Sequence, residues 1–268
     1  MNIYQASYDC LMESDPVVKC QCATQLYADW QQGAYSRDEN DTVTPVMRIK
    51  EPGRPARPQL VPVSQVKQRK LSSDEGRASL IHAVTHIEFN AINLALDAVY
   101  RFRDMPDAYY GDWLQVAKEE AYHFNLLKTR LQEMGYAYGD LPAHNGLWES
   151  CVDTDHDVMV RMALVPRVLE ARGLDVTPAM MQRLLDCGDT PTVELLEIIL
   201  RDEVGHVRIG SRWFHYCCEQ RKLEPQATFV ELIKQYMSGG LRGPFNESAR
   251  LQAGFSEKEL QMLTKLSL

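Results

Sequence analysis

An all-α fold with four long helices at its centre is what this sequence predicts, and three observations predict it. From Ser72 onward apolar residues recur at helical spacing with few interruptions. Proline and glycine fall mostly at the ends of those periodic runs, as Pro106, Gly135, Gly173 and Pro191 do. Alternating apolar and polar runs, the mark of half-buried strands, are nearly absent.

Taken in order, residues 3–33 carry Tyr4, Tyr8, Leu11, Val17, Val18, Cys22, Leu26 and Trp30 at helical spacing. They predict two short helices, broken at Ser14-Asp15-Pro16 and stopped at Gly33. Residues 34–70 hold five prolines and no periodicity, which predicts an extended segment wrapped over the protein, with Leu60, Val61 and Val63 buried. Ser72 and Glu75 read as a capping box opening a helix to about Arg103. A second long helix runs from Pro106 to Met134, with Gly135 at its C-terminal stop. The third covers 154–172, is interrupted by Pro166 and ends at Gly173, and a short helix follows Thr177-Pro178. Pro191 starts the fourth, which continues to about Arg221, and pieces at 226–237, 246–252 and 256–266 complete the chain. The expected organisation is an arm over 1–71 packed on a helical bundle over 72–268, the two forming one structural domain.

Composition narrows the function classes. The 268 residues are 45% hydrophobic and 25% charged, the mix of a globular protein, so a disordered, collagen-like or fibrous chain is excluded. No apolar run approaches the roughly 20 residues that span a bilayer. The opening MNIYQASYDC lacks the pattern of a signal peptide, so a cytoplasmic location is expected. Seven cysteines, with Cys217 and Cys218 adjacent, fit reduced thiols rather than a disulfide framework. Cys20 and Cys22 are too isolated to form a zinc site on their own.

The net charge of -8 is uneven, because residues 48–70 hold seven Lys/Arg against one acidic residue, a local +6 that leaves about -14 for the remainder. A basic strap across an acidic body is the simpler reading. A docking patch for an anionic substrate or RNA is the other.

Two Glu-x-x-His units carry the chemistry: Glu120 with His123, and Glu203 with His206. Positions i and i+3 share a helix face, so each unit aims a carboxylate and an imidazole the same way. The count of such pairs is weak evidence, but their setting is not. Trp113, Val116, Phe124, Leu127 and Leu131 share the face of Glu120, and Leu196, Ile199, Leu200, Val207 and Gly210 that of Glu203. Charge buried on an apolar face costs several kcal/mol unless compensated.

Glu88, among Ile81, Val84, Ala91, Ile92 and Ala95, and Glu170, beside Met159, Ala163 and Pro166, show the same peculiarity. Glu88 precedes Glu120 by 32 residues and Glu170 precedes Glu203 by 33. A lone Glu followed by Glu-x-x-His, twice, is the ligand set of a di-metal carboxylate bundle. Four carboxylates neutralise two divalent ions, and one imidazole per ion adds a softer donor. Glu119 and Asp202 precede the two units and could orient the ligating histidines.

Other residues read as structural. His86 lies on a different face from Glu88 and is expected to be a packing histidine. His82, His144, His156 and His215 lack a patterned acidic partner. Arg167 and Arg172, flanking Glu170, read as salt-bridge formers ahead of a substrate clamp. Pro166 frees the carbonyl of Met162 and predicts a kink. Trp113 and Tyr122 are expected in the core.

The segments PGRPARPQLVP, AVTHIEFNAI, EEAYHFNLL, LEARGLD and RDEVGHV, spanning roughly 50–210, resemble an uncharacterised bacterial family of ferritin-like carboxylate proteins. The resemblance extends more distantly to the di-iron hydroxylase of a modified tRNA adenosine. It implies a ferritin-like four-helix bundle with extra N- and C-terminal helices and a Pro-rich wrapping segment. The implied metal ligands are Glu88, Glu120, His123, Glu170, Glu203 and His206.

The expectation is a di-iron oxidoreductase using O2 to hydroxylate or otherwise oxidise a small-molecule or modified-nucleoside substrate. Iron is the first choice of metal, with manganese or a mixed pair as alternatives. No flavin or nicotinamide fingerprint is present, since MSGGLRG follows a helix rather than a strand, so an external electron donor is expected. Ferroxidase, iron-handling or peroxide-consuming activity, and a non-catalytic metal-stabilised binding role, stay open. A tRNA substrate would call on Lys67, Arg69 and Lys70, and a homodimer is compatible with the pattern.

Overall fold

The computed structural model describes residues 2–37, 45–66, 69–237 and 241–266. All its regular structure is helical: the described residues contain no strand, only the isolated bridges Asn2–Ser36 and Leu60–Ala143. No helix among them is long and apolar enough to cross a membrane. The chain divides into two compact units, Met1–Val152 and Asp153–Leu268.

The first unit is organised on two long helices. Helices α1 (Ile3–Met12) and α2 (Pro16–Gln31) are separated by the expected break, and the Asp15 carboxylate accepts the N–H groups of Val17 and Val18 to start α2. Helix α3 (Asp74–Arg101) packs along α4 (Asp107–Glu133), with α1 on α3 and α2 on α4. The cap of α3 is Ser73, whose hydroxyl accepts the Gly76 N–H, so a single serine cap one residue later replaces the box expected at Ser72 and Glu75. Gly135 ends α4 at φ +81°, a left-handed conformation that costs glycine little. A short helix not expected from the sequence, α5 (Gly146–Asp153), follows. Its Trp148 is buried and donates its indole N–H to the Lys50 carbonyl of the arm.

The arm is extended and held by backbone contacts. Val61 N–H donates to the Ala143 carbonyl, and Ala143 N–H to that of Gln59. Gly53 donates to the Leu11 carbonyl so closely that a Cβ there would lie 2.2 Å from the Met12 backbone. Val63 is 65% exposed and Leu60 and Val61 are only partly covered, contrary to expectation. Lys67 lies outside the described residues. Arg69 pairs with Glu75 at 3.1 Å and is half-buried, and Lys70 is exposed.

Lys19 fastens the arm to the helices. It occupies the buried stripe of α2 with Ala23 and Leu26 and is fully buried. Its ammonium donates to the carbonyls of Leu11 and Gly53, at 2.9 and 2.6 Å, and to the Asn93 amide oxygen on α3. Burial pushes its pKa down to about 7, while three acceptors and the Phe89 ring surround the head group.

In the second unit, α6 (Val158–Leu164) passes into a π-helical segment (Val165–Glu170) and then α7 (Ala171–Leu185). All three pack on α8 (Thr190–Gln220), which Asp189 caps through the Thr192 N–H. Two expectations are corrected here. Gly173 does not stop the third helix, and no separate helix starts at Thr177-Pro178: α7 runs through both positions. Pro166 produces a change of helical type rather than a simple kink. The Ala171 N–H reaches the Pro166 carbonyl, five residues back. Helices α9 (Pro225–Tyr236), α10 (Glu247–Gln252) and α11 (Glu257–Leu266) follow as expected.

Arg167 is wholly buried in this unit. Its guanidinium lies 4.1–4.7 Å from the ring centres of Phe214, Phe229 and Phe255 and pairs with Glu259 at 2.5 Å. It is a salt-bridge residue, as read from the sequence. Arg172 donates to the Arg242 carbonyl and lies 3.7 Å from Asp175.

Candidate metal centre

In the first unit, α3 contributes Glu88 and α4 contributes Glu120 and His123. The apolar face that carries the pair on α4, with Trp113, Val116, Phe124, Leu127 and Leu131, is buried throughout. Burying each such side chain stabilises by about 1.5–3 kcal/mol, so the face turns inward and takes the acid and the imidazole with it. Glu120 and His123 are fully buried, and the Glu88 side chain is 4% exposed.

The His123 Nδ1 lies 3.3 Å from Glu88 Oε2 and 3.4 Å from Glu120 Oε2, and ligand atoms of these three residues all fall within 4.8 Å of one another. Burial alone would lower the His123 pKa, but its hydrogen bonds to Glu120 and Glu88 and their charge push it up to about 11. The two buried carboxylates thus favour positive charge at this point. The donor set, two carboxylates and an imidazole in an apolar setting, could hold a divalent metal ion.

The second unit carries the second Glu-x-x-His pair. Helix α8 contributes Glu203 and His206, again with Nδ1 toward the carboxylate, at 3.7 Å from Glu203 Oε1. His206 is fully buried and the Glu203 side chain is 14% exposed. Leu196, Ile199, Val207 and Gly210 are buried on the same helix, and Leu200 partly so. Glu170 is the last residue of the π-helical segment packed on α8, and is half-buried.

Glu119 accepts a hydrogen bond from Gln115, and Asp202 accepts from Arg201. Trp113 is a core residue, whereas Tyr122, expected in the core, is 49% exposed with its ring beside that of His123. Its position puts it across α4 from the buried face. His86 is the packing histidine expected: its Nδ1 bonds the Tyr138 hydroxyl, its Nε2 the Asn90 amide, and burial pushes its pKa down to about 4. His82 accepts the Gly139 N–H and stacks on Tyr138.

The π-helical carrier of Glu170 and the buried Lys19 were not anticipated from the sequence. The second had a signal, since Lys19 sits one turn before Ala23 on the apolar stripe of α2.

Among known proteins, the family model described as "Protein of unknown function (DUF455)" matches residues 12–261. An "Uncharacterized protein" of Haemophilus influenzae is 47% identical over 216 residues, covering 78% of this chain and 75% of the relative. No solved structure matches.

Proposed function

This chain belongs to the family described as "Protein of unknown function (DUF455)", and from the chemistry of its two Glu/Glu-x-x-His sets we propose that it is a di-metal carboxylate oxidoreductase. In this reading Glu88, Glu120 and His123 serve one metal ion and Glu170, Glu203 and His206 the other, in a ferritin-like four-helix arrangement of their carriers. The observation that carries it is the convergence of Glu88 and Glu120 on His123 Nδ1, with all three side chains buried. The same acid and the same imidazole atom recur in the second unit.

A pair of iron ions bound there would supply the O2 and redox chemistry that hydroxylation or related oxidation of a substrate needs, with electrons from an external donor. The residues of the chain do the rest. The carboxylates supply negative charge that offsets the metal charge. The apolar face of α4 keeps bulk water from Glu120 and His123, which strengthens electrostatic interactions there. Imidazole ligates a metal only through an unprotonated nitrogen, so an ion held by His123 would be bound more weakly as pH falls.

The test is anaerobic loading with Fe(II) followed by exposure to O2. The reading predicts O2 uptake in proportion to bound iron and its loss in Glu120→Ala. Stoichiometric iron binding without O2 uptake, in the presence of a chemical reductant, would limit the centre to a structural role.

A further inference from the structure

Glycine in the interior of a long helix sacrifices backbone order and side-chain packing, so a buried one needs a reason. Helix α8 holds two glycines, the half-buried Gly205 and the buried Gly210, and their surroundings differ. A Cβ at Gly205 would meet nothing within 4 Å, whereas a Cβ at Gly210 would lie 2.4 Å from both Cβ and Cγ of Pro166. The proline ring therefore rests on the bare backbone of α8. The next residues along each element also bond, Arg167 donating to the Ser211 hydroxyl at 3.2 Å. The π-helical segment is thus seated on α8 by two successive contacts.

The seat has a definite place relative to the proposed ligands. Gly210 follows His206 by four residues, about one turn along the same face of α8. Pro166 precedes Glu170 by four residues and begins the five-residue hydrogen bond that ends just beyond it, at Ala171. How closely the two elements approach at this contact governs where Glu170 stands on one and His206 on the other.

We propose that Gly210 is a positioning residue for the metal centre: by leaving room for Pro166 it sets the approach and register of the π-helical segment and so the placement of Glu170. This inference rests on the di-metal reading above. Any side chain at 210 would push the segment away, and the ring of Pro166, closed onto its own backbone, cannot swing aside.

The experiment uses the full chain and Co(II) as probe, with binding affinity and the visible absorption of the bound ion measured beside thermal unfolding. Wild type, Gly210→Ala, Gly205→Ala and Pro166→Ala are compared. The expected result is Co(II) affinity reduced tenfold or more and an altered spectrum in Gly210→Ala, with helicity and cooperative unfolding kept. Gly205→Ala should match wild type in both affinity and spectrum. If Gly210→Ala does not fold, Pro166→Ala carries the test, since it removes the seated ring without adding bulk, and its spectrum should differ from wild type without loss of stability. Wild-type affinity and spectrum in Gly210→Ala, or in Pro166→Ala where that variant decides, would overturn the proposal. Failure of the wild-type chain to bind Co(II) would instead bring down the di-metal reading, and the inference with it.

Discussion

His123 Nδ1 stands 3.3 Å from the Glu88 carboxylate, which is carried by a different helix. That contact joins the lone glutamate of α3 to the Glu-x-x-His unit of α4 and gives the repeated pattern in the sequence a physical meaning. Glu120 approaches the same nitrogen at 3.4 Å. Two acids on one imidazole, all buried, is an arrangement that asks for positive charge.

The two ligand sets differ in closure. Glu120 and His123 are fully buried, and the acid–imidazole distance is 3.4 Å, against 3.7 Å for Glu203 and His206, where the acid is 14% exposed. The better enclosed set is predicted to hold its ion more tightly. In protein dialysed against metal-free buffer, Glu120→Gln should lower residual metal content more than Glu203→Gln does. Equal losses, measured by mass spectrometry, would show that enclosure does not rank the two.

Lys19 is predicted to be a principal fastening of the arm. In Lys19→Met the side-chain volume remains but the bonds to Leu11, Gly53 and Asn93 are lost. Leaving buried acceptors underused costs about 1–3 kcal/mol, and chemical denaturation should show a loss of that size. The arm around Gly53 should also become the first site of limited proteolysis. A variant as stable and as protease-resistant as wild type would contradict this role.

The Arg167–Glu259 pair predicts a pH dependence. Burial alone would raise the Glu259 carboxyl, but the Arg167 guanidinium and the Ser256 N–H and hydroxyl hold it below the ordinary glutamate value of 4.5. A carboxyl depressed in the folded state stabilises above its unfolded pKa, and that contribution is lost as pH falls through the folded value. Glu259→Gln should therefore be less stable than wild type by about 3 kcal/mol at pH 7, the scale for breaking a buried pair. As pH falls below the ordinary glutamate value of 4.5 the gap should narrow, closing as wild type loses the same charge. A gap that stays constant from pH 7 to pH 3 would show that the charge of Glu259 is not what stabilises.

The long helices were legible because their ends are written in local chemistry. Gly135 supplies the left-handed stop of α4, and Asp189 with Pro191 opens α8. The burial of Glu120 and His123 in the first unit was legible for the same kind of reason, since i and i+3 on a helix with one apolar face leave their direction no freedom. What failed was decided by packing. Ser72 and Ser73 offer identical hydroxyls, and only the path of the preceding turn selects Ser73. Gly173 faces open space and is helical because α7, which packs on α8 and buries Ala171 and Leu174 on either side of it, overrides its weak propensity. The π-helical register at Pro166 depends on an absent side chain at Gly210, a contact that no spacing along the chain encodes.

The most direct test of the central claim is metal content per chain, by mass spectrometry, in protein purified without chelator and beside a Glu120→Ala, Glu203→Ala double variant. The di-metal reading predicts about two iron or manganese atoms per wild-type chain, the stoichiometry of paired carboxylate sites, and their loss in the double variant. A wild-type chain that stays metal-free after anaerobic Fe(II) loading would contradict it, leaving the acids and histidines as a buried network that only supports the fold.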